Sequence, residues 1–341
     1  MRRLDLARSA LDPRRTPGRL PARLGAAAFA AALCAGCGAR PFAEGSSREL
    51  VVITSLPPDS PEVLLLKAIV EREVVRIDHE TAYVVRLARP EDGRAYRSTN
   101  VLLVGTGSLN RIPPDAGNLR DILERAGRPY AFIGDLWLRG QAAGILWAAS
   151  RASWLTELAR IQNRFFLELD RATFAAVRER VLSLPRDRVA ERFLADSLGY
   201  TLQVPRGYAV HIDRRARAAL LLEAGPPARL LRIRAVTPSD ERADTGLGAT
   251  RDALARLFRP DERTLDFTDP TLVPDEMAGA VRRLHGRWED ARVSAAGPFR
   301  YYEIARGSRR YEVDLSVFAP GKPKLPYLRE LSAIAESLTP R

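Results

Sequence analysis

The chain has 341 residues, 46% hydrophobic and 28% charged, with 54 Lys and Arg against 42 Asp and Glu for a formal charge of +12. That length can bury a full core in one large domain or two lobes. Two cysteines exclude a disulfide framework, and no stretch beyond the leader approaches the ~18 consecutive apolar residues of a transmembrane helix.

Residues 1–36 read as a signal peptide. Seven arginines precede residue 24 (2, 3, 8, 14, 15, 19 and 23) against Asp5 and Asp12, and residues 24–33 are almost all Ala, Leu or Phe. A basic segment before a short apolar run is an export signal, too short for a permanent span. Ala35 and Gly36 then precede Cys37, whose thiol is the expected lipid attachment point. Cys34 stands three before it, where Leu is usual. Removing the leader leaves 47 basic and 40 acidic residues, or +7, with arginine supplying almost all the positive charge. These charges are spread evenly, which argues for a solvated surface over a polyanion site, and export disfavours nucleic acid as a partner. Residues 37–48 are expected to form a lipidated tether, whose eleven residues after Cys37 reach at most ~40 Å. Gly38 follows Cys37 instead of aspartate, which favours the outer membrane in a diderm cell, with the body in the periplasm or at the cell surface.

A first lobe is expected over 49–184. Leu50-Val51-Val52-Ile53-Thr54 is a buried-type strand, followed by a helix beginning at Ser60-Pro61 with Val63, Leu66, Ile69 and Val70 on one face. Strands are predicted at 81–88 and 101–104, then a helix over 115–126 ended by Gly127. Residues 130–138 and 144–149 read as an antiparallel pair across a Gly-containing turn. Residues 152–184 contain no Gly or Pro, and Trp154, Leu158, Ile161, Phe165 and Leu169 recur at helical spacing, predicting one long helix or two abutting ones.

The second lobe is expected over 185–341. Helices are predicted at 189–198, 245–258 and 327–338, and strands at 200–204, 208–212, 218–223, 229–235, 280–288, 299–305 and 311–318. Residues 259–276 read as loop, and Glu289-Asp290 as a turn. The fold class is α+β, two lobes of mixed, largely antiparallel sheet with packed helices.

Catalytic signatures are weak throughout. Gly105-Thr106-Gly107 follows a strand but lacks the third glycine and a prompt helix, so it does not make a phosphate cradle. His79, His211 and His285 lack metal-ligand spacing, so no metal or cofactor is expected. Asp135, Trp137 and Gln141, with Trp288 and Phe299 of a Gly297-Pro298-Phe299 turn, are the candidate ligand- or partner-binding residues, because polar and large aromatic groups near strand ends can line a pocket.

Several stretches carry a family resemblance: Glu49-Leu50-Val51-Val52, Arg97-Ser98-Thr99-Asn100-Val101-Leu102, Asp135-Leu136-Trp137 with Gln141, and Val204-Pro205-Arg206-Gly207-Tyr208. Further on come Gly286-Arg287-Trp288, Gly297-Pro298-Phe299, Val317-Phe318-Ala319-Pro320, and Tyr327-Leu328-Arg329 with Leu331. In these the chain resembles domain of unknown function 4837, a family of uncharacterised bacterial lipoproteins. It departs from the family in its Arg-rich leader, in Ser98-Thr99, and at Ala296 where Gly is usual. The resemblance implies no catalytic role. The expectation is a lipid-anchored envelope protein, held to the membrane through its N-terminal lipid, that binds an envelope protein or polymer or scaffolds an assembly. The competing class is an envelope hydrolase acting on cell-wall or lipid material.

Overall fold

The computed structural model describes residues 40–75, 79–109, 112, 116–236, 246–268 and 277–341. The expected leader and Cys37 lie outside the described residues. Pro41–Arg341 form one compact unit, and among the described residues no helix is long and apolar enough to cross a membrane.

In chain order the first half contains β1 (Glu49–Thr54), α1 (Pro61–Val70), β2 (Glu73–Val75), β3 (Glu80–Thr81), β4 (Val84–Ala88), β5 (Asn100–Thr106), α2 (Gly117–Ala126), β6 (Tyr130–Gly134), β7 (Ala142–Ala148) and α3 (Arg151–Leu182). The second half contains α4 (Arg188–Leu198), β8 (Tyr200–Thr201), β9 (Ala209–Asp213), β10 (Ala218–Glu223), β11 (Ala228–Val236), α5 (Leu247–Arg256), β12 (Glu262–Thr268), β13 (Ala280–Asp290), β14 (Ala295–Arg306), β15 (Arg309–Phe318), α6 (Leu325–Glu336) and β16 (Thr339–Pro340). The α+β class holds, with antiparallel pairing predominant.

The first sheet has the order β4-β1-β5-β7-β6. Pairings of β1 with β4, β1 with β5 and β5 with β7 are parallel, and only β6 runs against its neighbour. A parallel sheet needs cover on both faces, which is why β1 is a continuous apolar run. Val51 and Ile53 face the cluster containing Leu119 and Leu123 of α2, while Leu50 and Val52 join Trp154, Phe165 and Leu169 of α3. The second sheet is antiparallel, in the order β12-β13-β14-β15-β11-β10-β9. Its Val313, Leu315 and Ile233 enter the same cluster as Leu50, together with Leu328 and Leu331 of α6. Ala218, Trp288, Phe299 and Tyr301 gather with Leu254 of α5 on its other face. The layers are therefore α2, first sheet, α3 with α6, second sheet, α5.

Helix α3 is one continuous helix. Ser150 and Ser153 close a reciprocal capping box at its start, which satisfies two otherwise orphaned amides. Helix α6 has no cap of its own. The Glu80 carboxylate, only 4% exposed, accepts hydrogen bonds from the amides of Lys324 at 2.7 Å and Leu325 at 3.0 Å. A buried anion at a helix N-terminus satisfies those donors and complements the helix dipole. Farther along α6, Arg329 is buried and donates to Ser47 O at 2.9 Å and to the Asp170 carboxylate of α3. Asp170 also accepts from the Tyr83 hydroxyl, which lies 2.9 Å from Thr173 Oγ1.

Three expectations are corrected. Residues 262–268, read as loop, form edge strand β12. Its alternation is inverted, because Glu262 is buried while Leu265 and Phe267 are exposed, so polarity pointed the wrong way. Glu289-Asp290 continues β13, and Gly297-Pro298-Phe299 lies within β14 instead of a turn. A Cβ at Gly297 would fall 1.9 Å from Val317 O, so glycine there permits close strand approach, not reversal. The strand expected at 200–204 shrinks to β8, paired with the unanticipated β16.

Arg329→Met should destabilise the fold by about 3–5 kcal/mol, since Asp170 would keep a buried charge without its partner. In urea unfolding, Arg329→Met combined with Asp170→Leu should recover part of that loss. Glu62 receives two hydrogen bonds from Arg151, at 2.5 and 2.8 Å, which hold its carboxyl down from 4.5 to about 2 despite burial. Its folded value lies below its unfolded one. The stabilisation is therefore complete above about 4.5 and disappears as pH falls towards about 2. Glu62→Gln should flatten the acid limb of the stability profile across that window.

Candidate functional site

Asp135, Trp137 and Gln141 come together in the connection between β6 and β7. Gln141 is fully buried. Its amide donates to Tyr96 O at 2.8 Å and Ser98 O at 2.9 Å, and its Oε1 accepts from Trp137 N at 3.2 Å. Asp135 takes a positive φ of 55° and its amide donates to Gln141 O at 2.9 Å. Trp137 meets Tyr96 edge to face at 5.0 Å. These contacts spend the group's polar capacity on backbone.

Trp288 and Phe299 sit together elsewhere, on the α5 side of the second sheet. The structure does not bring them to the first three residues. Beside them Arg232, Arg251, Glu262 and Asp314 form an ionic cluster in which every side chain is 0% exposed. The Arg251 guanidinium stands 4.5 Å over the Phe299 ring, and Ser316 Oγ closes the network. Two cations balance two anions with no path to solvent, so the cluster fastens α5 and β12 to the sheet.

The largest convergence of polar and aromatic groups lies in a cleft of about 460 Å³ between the C-terminal half of α3, helix α6 and the Pro205–Tyr208 segment. At its centre Arg229 of β11 binds Glu223 of β10 at 2.5 Å and Glu330 of α6. The Arg229 guanidinium stands 5.5 Å from the Tyr327 ring and 6.0 Å from that of Tyr208, near the limit at which a ring face attracts a cation. Burial raises the Glu330 carboxyl above its ordinary value against the opposing pull of Arg229, and burial likewise pushes up the Tyr208 hydroxyl. Arg180 and Arg206 also line the cleft, with Val177, Val181 and Ile334 as its apolar wall. Arg180 donates to Gly45 O at 3.3 Å, which ties the first described residues to the rim.

Sequence reasoning missed this centre. Val204–Tyr208 and Tyr327–Arg329 stood out only through the family resemblance, while Glu223, Arg229 and Glu330 carry no motif and meet through strand and helix packing. A smaller cavity of about 270 Å³ lies between the C-terminal ends of β1 and β5, beside Trp147. No charged side chain lines it, and α2 begins ten residues beyond Gly107. Gly105-Thr106-Gly107 is thus not set against a helix N-terminus. Among the described residues no group of three His, Cys, Asp or Glu could hold a metal ion. His79 is exposed, with Nδ1 3.1 Å from Glu73; His211 is exposed on β9 and His285 is buried on β13.

Gln141→Ala should cost about 1–3 kcal/mol in thermal or urea unfolding, because the carbonyls of Tyr96 and Ser98 lose their buried donor.

A crystal structure from Bacteroides thetaiotaomicron VPI-5482 is similar over 42% of this chain and 45% of that one, at 11% identity and a TM-score of 0.25. The similarity spans less than half of that protein's length. No curated protein matches the chain. Residues 260–337 match the model of the family described as Domain of unknown function (DUF4837), so the resemblance read from Gly286-Arg287-Trp288, Gly297-Pro298-Phe299 and Tyr327-Leu328-Arg329 is found in that part of the chain.

Proposed function

We propose that the protein is a lipid-anchored partner-binding protein of the bacterial envelope, acylated at Cys37, and that its cleft takes an extended acidic peptide segment of another envelope protein. The observation that carries the reading is the grouping of Tyr208 and Tyr327 around Arg229, with Arg180 and Arg206 on the same walls. Tyrosine and arginine supply most of the energy at binding hot spots, since each offers contact area with few rotamers to freeze or a multidentate donor. The three arginines against Glu223 and Glu330 leave the cleft net cationic, which favours an acidic segment.

Export and acylation rest on the leader: the basic start, the apolar run over 24–33 and the small residues before Cys37. The cleft supports binding over hydrolysis because both of its carboxylates are engaged on Arg229. Neither is poised beside a nucleophile or a water-activating base.

The test is photocrosslinking in intact cells, with p-benzoylphenylalanine in place of Arg206 and, as a remote control, in place of the exposed Glu157 of α3. We expect one envelope protein to be captured from position 206 and not from 157, with capture falling at least about tenfold when Tyr327→Ala removes the aromatic wall. Equal capture from both positions, or none from 206, overturns the assignment. Palmitate labelling that persists in Cys37→Ala overturns the anchor independently.

A further inference from the structure

His285 presents an unpaid polar group in the interior. It is 4% exposed, and neither Nδ1 nor Nε2 has a hydrogen-bond partner among the described residues. Its ring meets only the edge of Tyr302, at 5.7 Å between centroids. A buried imidazole always carries at least one donor or acceptor that water or a ligand would satisfy. This one borders a cavity of about 210 Å³.

The register of the second sheet sets what surrounds it. Side chains alternate faces along a strand, so Arg283 and Arg287 flank His285 on the same face of β13. Arg300 of β14 lies directly across from His285, and is itself only 3% exposed. Arg287 pairs with Asp266 of β12 at 2.9 Å at the more exposed end, leaving the positive charge of this face in excess. The opposite wall is apolar, formed by Val74 and Val75 of β2 and Leu328 of α6, with Phe267 at the edge. Burial, reinforced by Arg300 and Arg283, holds the His285 imidazole well below its ordinary value, so the ring is neutral and offers one donor and one acceptor while the arginines supply the charge.

We infer that this cavity is a second binding site, separate from the Arg229 cleft, for a small carboxylate with an apolar body, its carboxyl group set between His285 and Arg300 and its body against Val74 and Leu328. The lining includes Gly286, Arg287, Pro298 and Phe299, all inside the matched residues 260–337.

The full chain has only three histidines, so ¹⁵N-histidine labelling gives three resolvable ring systems, of which the exposed His79 and His211 are internal controls. Titration with benzoate should move the His285 ring nitrogens saturably and leave the other two unchanged. Benzyl alcohol, which keeps the ring but lacks the charge, should bind at least about tenfold more weakly, and Arg300→Gln should weaken benzoate binding by a similar factor. The first two measurements need no variant, so misfolding of Arg300→Gln cannot obscure them. No movement of His285 with benzoate, equal movement with benzyl alcohol, or an equal response to inorganic phosphate each overturns the assignment.

Discussion

Arg329 and Asp170 form the contact on which the molecule's architecture depends. Arg329 belongs to α6 and Asp170 to α3, and these helices make the middle layer onto which both sheets pack. Asp170 lies on the long helix that covers the first sheet, while α6 lies against β11 and β15 of the second. A buried ion pair contributes little net stability when desolvation is counted, but its directionality rejects alternative packings that a purely apolar contact would tolerate. Here the guanidinium also donates to Ser47 O, so one side chain joins the chain just before β1, the centre of α3 and the last helix. The contacts span 282 residues of sequence at their widest. The Glu80 cap acts in the same sense at the other end of the helix, where a carboxylate from β3 supplies the N-terminal acceptor that α6 lacks.

A second buried ionic group has a different task. Arg232, Arg251, Glu262 and Asp314 are fully enclosed, and their bonds connect β11, α5, β12 and β15 on the outer face of the second sheet. Helix α5 is short and β12 is an edge strand whose Leu265 and Phe267 face solvent, so neither can be held by apolar burial alone. Charge-assisted hydrogen bonds substitute for missing apolar area. The Arg251 guanidinium over Phe299 shows why Phe299 is needed in the interior: its ring face accepts a cation that has left water. That is a packing role for a residue whose type also suits a ligand pocket.

Much of the fold was legible because most elements announce themselves through apolar period. The run Leu50-Val51-Val52-Ile53, the stripe from Trp154 to Leu169 and the inward face of α6 each bury the residues that periodicity selects. The misreadings fall where polar residues go inside. Glu262 and Asp290 are buried by ion pairs, so β12 and the end of β13 looked like loop and turn. Gly297 and Pro298 have turn chemistry, yet Gly297 is required by a neighbouring backbone oxygen. The α+β class was visible, but the parallel core of the first sheet was not, since strand direction depends on connections and not on side-chain type. Of the site residues, Asp135, Trp137 and Gln141 were correctly grouped as neighbours. The Arg229 centre was invisible, because Glu223, Arg229 and Glu330 are ordinary charges until β10, β11 and α6 are brought together.

Helix α6 accounts for why the two cavities and the central ion pair lie so close in sequence. Successive residues of an α-helix point about 100° apart, so three in a row must face three directions. Tyr327 enters the Arg229 cleft, Leu328 closes one wall of the His285 cavity, and Arg329 meets Asp170 between them. No one of these positions can be tuned by rotating the helix without moving the other two. The helix is held in rotation by Arg329 and at its start by Glu80, so the geometry of both cavities is inherited from buried groups that touch neither ligand. This constraint explains Tyr327-Leu328-Arg329 as a unit: an aromatic for one cavity, an aliphatic for the other, and a cation that keeps both in place.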